Sequence, residues 1–231
     1  MEEDKIKELS SSKMLAYSVR EWWVYKVIKP FEDYCIEIEI SPNFLTIFGF
    51  ALNVIAGYLF SIGYFFFAGV VILLAGNFDF LDGRVARATK KTTVTGAYFD
   101  SVLDRYADAA LYTGLIFFYR ESWVMFFALA ALLGSLMVSY TKSRAETLNI
   151  DCKVGLMQRP ERIVYLGIGS LFSSLITVSL MPFATDPHHV PQHLLIGVIV
   201  ILSVLTNYTA LQRIIHVVRQ IDKINEKNKT G

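Results

Sequence analysis

At 231 residues, with 54% hydrophobic and only 19% charged residues, the chain is too apolar for an ordinary soluble domain, which carries about 25% charged residues. Its 22 basic and 21 acidic residues leave a net charge of +1, which excludes a polybasic nucleic-acid binder and an acidic disordered tail; no nucleic-acid partner is expected. Two distant cysteines, Cys35 and Cys152, exclude a disulfide scaffold and a cysteine-built zinc site. A single-domain integral membrane protein is what these numbers leave, and the run lengths below make it all-α.

The N-terminus does not read as a cleavable signal, because Met1 to Leu9 is acidic and mixed. Residues Lys13 to Lys29 combine Trp22, Trp23, Tyr25 and Ile28 with Arg20, Lys26 and Lys29. This pattern predicts an amphipathic helix, lying either in the membrane interface or on the protein's own surface. From Ile40 to Phe78 there are 39 consecutive uncharged positions. A ~30 Å hydrocarbon core needs ~20 helical residues, so this run holds two spans with a turn at Ser61-Ile62-Gly63-Tyr64. Further uncharged stretches run from Ser122 to Thr141, Ile163 to Thr185 and Pro187 to Gln212. Ala97 to Tyr119 reaches crossing length only with its acidic first half included. The expectation is therefore six transmembrane helices. A cytoplasmic N-terminal segment (residues 1–41) precedes the six-helix domain (42–220), and a frayed cytoplasmic tail (221–231) follows it.

Twenty-one of the 22 basic residues fall on one side of this topology, with Arg120 alone on the other. The positive-inside rule then puts both termini and both long loops in the cytoplasm of a multi-pass cell-membrane protein. Cys35 and Cys152 fall on that reducing side and read as inert. His188, His189 and His193 cluster in the last external loop beside Pro187 and Pro191, and read as solvated loop residues.

Five carboxylates break the apolar pattern: Asp79, Asp82, Asp100, Asp104 and Asp108. An ionised Asp at the centre of a spanning helix costs ~2.5–3.5 kcal/mol on insertion scales, so such residues face a polar cavity. Asp79 and Asp82 are three apart, and Asp100, Asp104 and Asp108 four apart, so each set shares a helical face. Two helices joined by a basic loop would pack antiparallel with these faces opposed. Carboxylates so crowded need cations to stay ionised, and oxygen-only ligation favours Mg²⁺, Mn²⁺ or Ca²⁺ over zinc. Intramembrane carboxylates also make proton relays and ion pathways, so a transporter is the competing reading. Against it stand Gly83 directly after Asp82, and Arg87 one turn later. A small residue admits a ligand, and an arginine beside carboxylate-held metal suits phosphoryl transfer.

The run Asp79-x2-Asp82-Gly83-x2-Ala86-Arg87-x8-Gly96-x3-Asp100-x3-Asp104 matches all eight fixed positions of the CDP-alcohol phosphotransferase signature, and the chain resembles that family over most of its length. Pro42-Asn43-x2-Thr46, opening the first span, is similar too. The resemblance implies transfer of the phosphoalcohol of a CDP-activated lipid to a second hydroxyl with release of CMP. It also implies a homodimer and two divalent ions per site (Mg²⁺ or Mn²⁺), ligated by Asp79, Asp82, Asp100 and Asp104. Asp104 would be the general base. Gly83 would leave room for the nucleotide and Arg87 would neutralise the pyrophosphate, with Asn43, Thr46 and Thr93 as cytidine or ribose contacts. Asp108 lies outside the signature and reads as a hydrogen-bonding or Arg105-pairing residue.

Ser139, Lys142 and Arg144 end the fourth span, and Arg159 and Arg162 open the fifth behind Pro160. Lys142 and Arg144 could simply snorkel to lipid headgroups. The cations at facing helix ends also fit a pocket for a phosphorylated acceptor, helped by the dipole of the fifth span. This stretch resembles the phosphatidylinositol-phosphate synthase branch and its archaeal relatives. That likeness implies inositol 1-phosphate as acceptor, held by Ser139, Lys142, Arg144, Arg159 or Arg162, and Arg213. The donor would be CDP-diacylglycerol or CDP-archaeol, drawn from the membrane lipids around the protein. Glycerol 3-phosphate is the alternative acceptor, giving phosphatidylglycerol phosphate.

Overall fold

A computed structural model describes residues 24–180 and 192–230. A π-helical turn, Val24–Ile28, runs into α1 (Lys29–Glu37); six longer helices follow. They are α2 (Pro42–Ser61), α3 (Phe65–Ala88), α4 (Val94–Phe118), α5 (Val124–Thr147), α6 (Arg159–Leu180) and α7 (His193–Thr230). No strand occurs among the described residues, in line with the all-α expectation. Most of the expected N-terminal amphipathic helix, with Trp22 and Trp23, lies outside the described residues, as do His188 and His189.

Local chemistry sets the helix starts. Ser41 caps α2 by accepting the Phe44 amide at 3.3 Å, with Pro42 in the first turn. Thr93 caps α4 by accepting the Gly96 amide at 2.9 Å. The turn expected around Gly63 is present: Gly63 has φ +82°, left-handed backbone that glycine adopts without strain. Beyond Ile221, where a frayed tail is expected, helix α7 instead continues to Thr230. Its 38 residues rise about 57 Å at 1.5 Å each, nearly twice a ~30 Å hydrocarbon core.

Five of these helices, α2, α3, α5, α6 and α7, are long and apolar enough to cross a membrane. The fourth, α4, has the length, at 25 residues, but carries Asp100, Asp104, Arg105 and Asp108. The bundle's outer surface fits lipid, with Tyr58, Phe67, Phe126, Phe172, Val178 and Ile201 all exposed.

The six long helices close into a ring in which neighbours pack in the order α2, α3, α6, α7, α5, α4 and back to α2. The sequence suggested direct antiparallel packing of the two carboxylate helices. Instead α2 packs closely against both α3 and α4, so the acidic faces meet across the ring's interior. Close approach makes this possible: a Cβ on Gly57 would lie 2.4 Å from the Ala110 carbonyl oxygen, and one on Gly114 2.0 Å from that of Gly57. Backbone therefore packs on backbone where α2 crosses α4, as membrane helices with small residues do. The apolar half of the interior is filled by Phe60, Phe65, Ile72, Leu111, Leu115, Leu166, Leu195 and Ile199. At the other end, α1 docks beside α3, burying Ile28 and Cys35 against Leu45, Leu81 and Val85. There Glu32, 5% exposed, receives Arg84 Nε at 2.6 Å. Burial pushes the Cys35 and Cys152 thiols up from their ordinary values, which keeps them protonated and unreactive.

Candidate active site

Three helices supply the polar end of the ring. Helix α3 brings Asp79, Asp82, Gly83 and Arg87; α4 brings Asp100, Asp104 and Asp108; and the first turn of α6 brings Arg159 and Arg162. One oxygen from each of Asp79, Asp100 and Asp104 lies within 4.8 Å of the others. Nη1 of Arg159 bridges two of the three, touching Asp79 Oδ2 and reaching Asp104 Oδ1 at 2.7 Å. Five carboxylates (Asp79, Asp82, Asp100, Asp104 and Asp108) lie around three guanidiniums (Arg159, Arg162 and, near Asp100, Arg105), an excess of two negative charges. Hard oxygen donors, close spacing and uncompensated charge all fit a divalent cation of the Mg²⁺ or Mn²⁺ type.

The fourth expected ligand, Asp82, is not part of that group of three. It is buried, and its oxygens accept the Thr46 hydroxyl at 2.6 Å and the Gly83 amide at 2.5 Å. Thr46, expected at the nucleotide, thus binds Asp82 directly, with its hydroxyl oxygen also 3.1 Å from the Pro42 carbonyl. The starts of α2 and α4 converge, since a Cβ on Gly96 would lie 3.0 Å from Thr93 Oγ1 and 3.5 Å from Asn43 Oδ1. Arg87 folds back over Gly83, with Nη1 3.3 Å from where a Cβ would stand. A side chain at position 83 would push against that guanidinium.

The basic residues separate into three environments. Arg159 is in the carboxylate cluster. Arg162 is 2% exposed and donates from Nη2 to Asp108 Oδ2 at 2.6 Å, so its charge is neutralised within the bundle. Arg213 is 3% exposed and braces the structure, donating to the Val154 carbonyl at 2.8 Å and the Val138 carbonyl at 2.6 Å. Of the remaining expected acceptor residues, Ser139 is half-buried and Arg144 exposed. Lys142 is also exposed, 3.9 Å from Glu146.

Of the two roles expected for Asp108, the hydrogen-bonding one holds, through Arg162, and the pairing with Arg105 does not. Arg105 turns to α5 instead, donating to Ser143 Oγ at 2.8 Å and Ser101 Oγ at 2.9 Å. Asp108 instead lies between Arg162 and Arg159 of α6. The repeat of four along Asp100, Asp104 and Asp108 is the sequence signal for this placement. It continues the acidic face one turn deeper into the bundle.

Residues 39–219 match the family model for CDP-alcohol phosphatidyltransferases. The phosphatidylinositol phosphate synthase of Mycobacteroides abscessus is 35% identical over 153 residues, covering 64% of this chain and 70% of that enzyme. The archaetidylinositol phosphate synthase of Pyrococcus horikoshii is 37% identical over 137 residues, covering 59% and 72%. Among solved structures, Mycobacterium tuberculosis phosphatidylinositol phosphate synthase with CDP-DAG bound superposes with a TM-score of 0.69 and 28% identity, over 83% of this chain and 94% of that one. The same enzyme in complex with manganese and citrate gives the same score and identity, over 83% and 88%. Signature residues, site geometry and matched length agree, and the chain belongs to the CDP-alcohol phosphatidyltransferase family.

Proposed function

We propose that this enzyme transfers the phosphatidyl group of CDP-diacylglycerol, or the corresponding ether lipid, to inositol 1-phosphate with release of CMP. The observation that carries this reading is the contact between Arg159 and the carboxylates Asp79 and Asp104. It sets a cation suited to an acceptor phosphate directly beside the metal-type cluster. The similarity to phosphatidylinositol and archaetidylinositol phosphate synthases supports the choice of acceptor.

Asp79, Asp100 and Asp104 would hold a divalent ion, Mg²⁺ or Mn²⁺, with Asp82 joining through a second ion. When bound, such ions polarise the donor pyrophosphate and stabilise the departing CMP. Gly83 leaves space for the nucleotide beneath Arg87, whose guanidinium pairs with phosphate. Thr46 fixes the carboxylate plane of Asp82. Arg159 binds the acceptor phosphate, which brings the neighbouring hydroxyl to Asp104, the group that accepts its proton. Arg159 suits this role better than Arg162, whose charge is already taken up by Asp108. Ser139, Lys142, Arg144 and Arg213 complete the acceptor side, and Asn43 and Thr93 the nucleoside side.

In this reading α4 is the sixth crossing: its carboxylates face the ring's interior rather than lipid, which removes the cost of carrying them through the bilayer. The concentration of 21 of 22 basic residues on one side favours cytoplasmic termini and a cytoplasmic site.

Purified protein given CDP-diacylglycerol, Mn²⁺ and a panel of acceptors tests the proposal. Release of CMP with inositol 1-phosphate is expected. Release with glycerol 3-phosphate alone would replace the acceptor, and silence with every acceptor would overturn the reaction.

A further inference from the structure

Arg159 and a divalent cation compete for the same carboxylates. Nη1 of Arg159 lies on Asp79 Oδ2 and Asp104 Oδ1, two of the three carboxylates whose oxygens converge within 4.8 Å. A cation taking those oxygens must displace the guanidinium, and a buried guanidinium cannot be left without a counter-charge. The structure supplies another partner. Asp108, 4% exposed, lies one helical turn beyond Asp104, with Oδ1 3.7 Å from Arg159 Nε. That Nε is buried and has no hydrogen-bond partner. At 3.7 Å the two groups attract but do not bond, so a small movement of Arg159 away from Asp79 would complete a contact already begun. The other oxygen of Asp108 is held at 2.6 Å by Arg162, which keeps the carboxylate aimed.

We propose that Asp108, oriented by Arg162, is a positioning residue that receives Arg159 when a divalent cation occupies Asp79 and Asp104. Arg159 then has two seats. On the first, it neutralises the carboxylate cluster. On the second, Nε rests on Asp108 and the Nη groups are free for an anion. Cation binding and the availability of Arg159 to the acceptor phosphate are thereby coupled, so the acceptor binds productively only after the cation. The acceptor half of this inference rests on the function proposed above; the two-seat exchange does not.

Mn²⁺ affinity of the purified full-length chain, measured by paramagnetic resonance without lipid or nucleotide, is the test. Arg159→Gln removes the internal competitor and should tighten Mn²⁺ binding about tenfold, the size of one charged hydrogen bond. Removing the second seat as a charge-balanced pair, Asp108→Asn with Arg162→Gln, should weaken it about threefold or more, because displaced Arg159 has nowhere to go. In the Arg159→Gln background the same pair should change nothing. A simple loss of negative charge, or a structural role for Asp108, would act equally in both backgrounds and would overturn the proposal. If the neutral pair does not fold, Asp108→Asn alone in the same two backgrounds gives the same comparison. Asp108→Glu, which keeps the carboxylate, should restore wild-type affinity. Mn²⁺ binding by the wild type with no tightening in Arg159→Gln would sink the exchange but spare the proposed reaction. A wild type that binds no Mn²⁺ would sink both.

Discussion

Asp104 and Asp108 stand one turn apart on the same face of α4, yet the bundle uses them differently. Asp104 remains 27% exposed by side chain and shares Arg159 with Asp79; Asp108 is 5% exposed and locked onto Arg162. Depth accounts for the contrast. Near the open end of the ring, carboxylates outnumber guanidiniums, and the excess charge has to be met from solution. One turn deeper, no external ion can be relied upon, so the chain provides its own arginine. A buried carboxylate with one good partner needs no ion from solution, whereas a crowded set with too few partners is a binding site.

The largest effect should come from removing the proposed base. Asp104→Asn is expected to lower turnover about a thousandfold while leaving CDP-lipid binding measurable, as for a general base. Near-normal turnover would move Asp104 into the same class as Asp108. Breaking the deeper pair should instead act on stability. Arg162→Met alone would leave Asp108 with only the 3.7 Å approach of Arg159 and cost up to about 3–5 kcal/mol, read as a fall in Tm of the detergent-solubilised protein. Adding Asp108→Leu should recover most of that loss, because two apolar residues can replace a buried pair. Failure to recover would mean that the pair does more than satisfy itself.

Between these extremes, Gly114→Ala tests the scaffold that brings the acidic faces together. Its Cβ would meet the Gly57 carbonyl at 2.0 Å, so α2 and α4 must separate. A cost of about 1–3 kcal/mol is expected from overpacking, with turnover falling as the site widens. Thr46→Val removes the hydroxyl held by Asp82. A rise of roughly tenfold in donor KM, the worth of one hydrogen bond to a charged group, would mark Asp82 as oriented from α2. Smallest is Lys142→Ala. Its ion pair with Glu146 is long, at 3.9 Å, and exposed, so the change should leave Tm unchanged and raise acceptor KM a few-fold at most. Any change in donor KM would place it on the nucleotide side instead.

Spacing alone was enough to single out the carboxylates, because Asp79 through Asp104 sit at fixed helical intervals and a charged residue in an apolar run has to be explained. Charge asymmetry and run length marked the apolar helices equally well, and the Gly63 turn could be read from a glycine between two apolar runs. Other features depended on distant parts of the chain. That Arg159 rather than Arg162 enters the cluster turns on α6 packing against α3, and both arginines look alike in Arg159-Pro160-Glu161-Arg162. The pairing of Asp108 with Arg162 spans 54 positions, and that of Asp82 with Thr46 spans 36; neither leaves a local pattern. The continuation of α7 to Thr230 was also hidden, since its polar last turns resemble a tail.

The sequence by itself determined the class, the membrane habit and the acidic signature, because hydrophobicity and helical periodicity are local properties of the chain. Only the tertiary structure decided which carboxylates keep their own arginine and which must borrow a cation from outside. That choice depends on how the ring of helices brings distant side chains together across its interior, and on how deep each one lies.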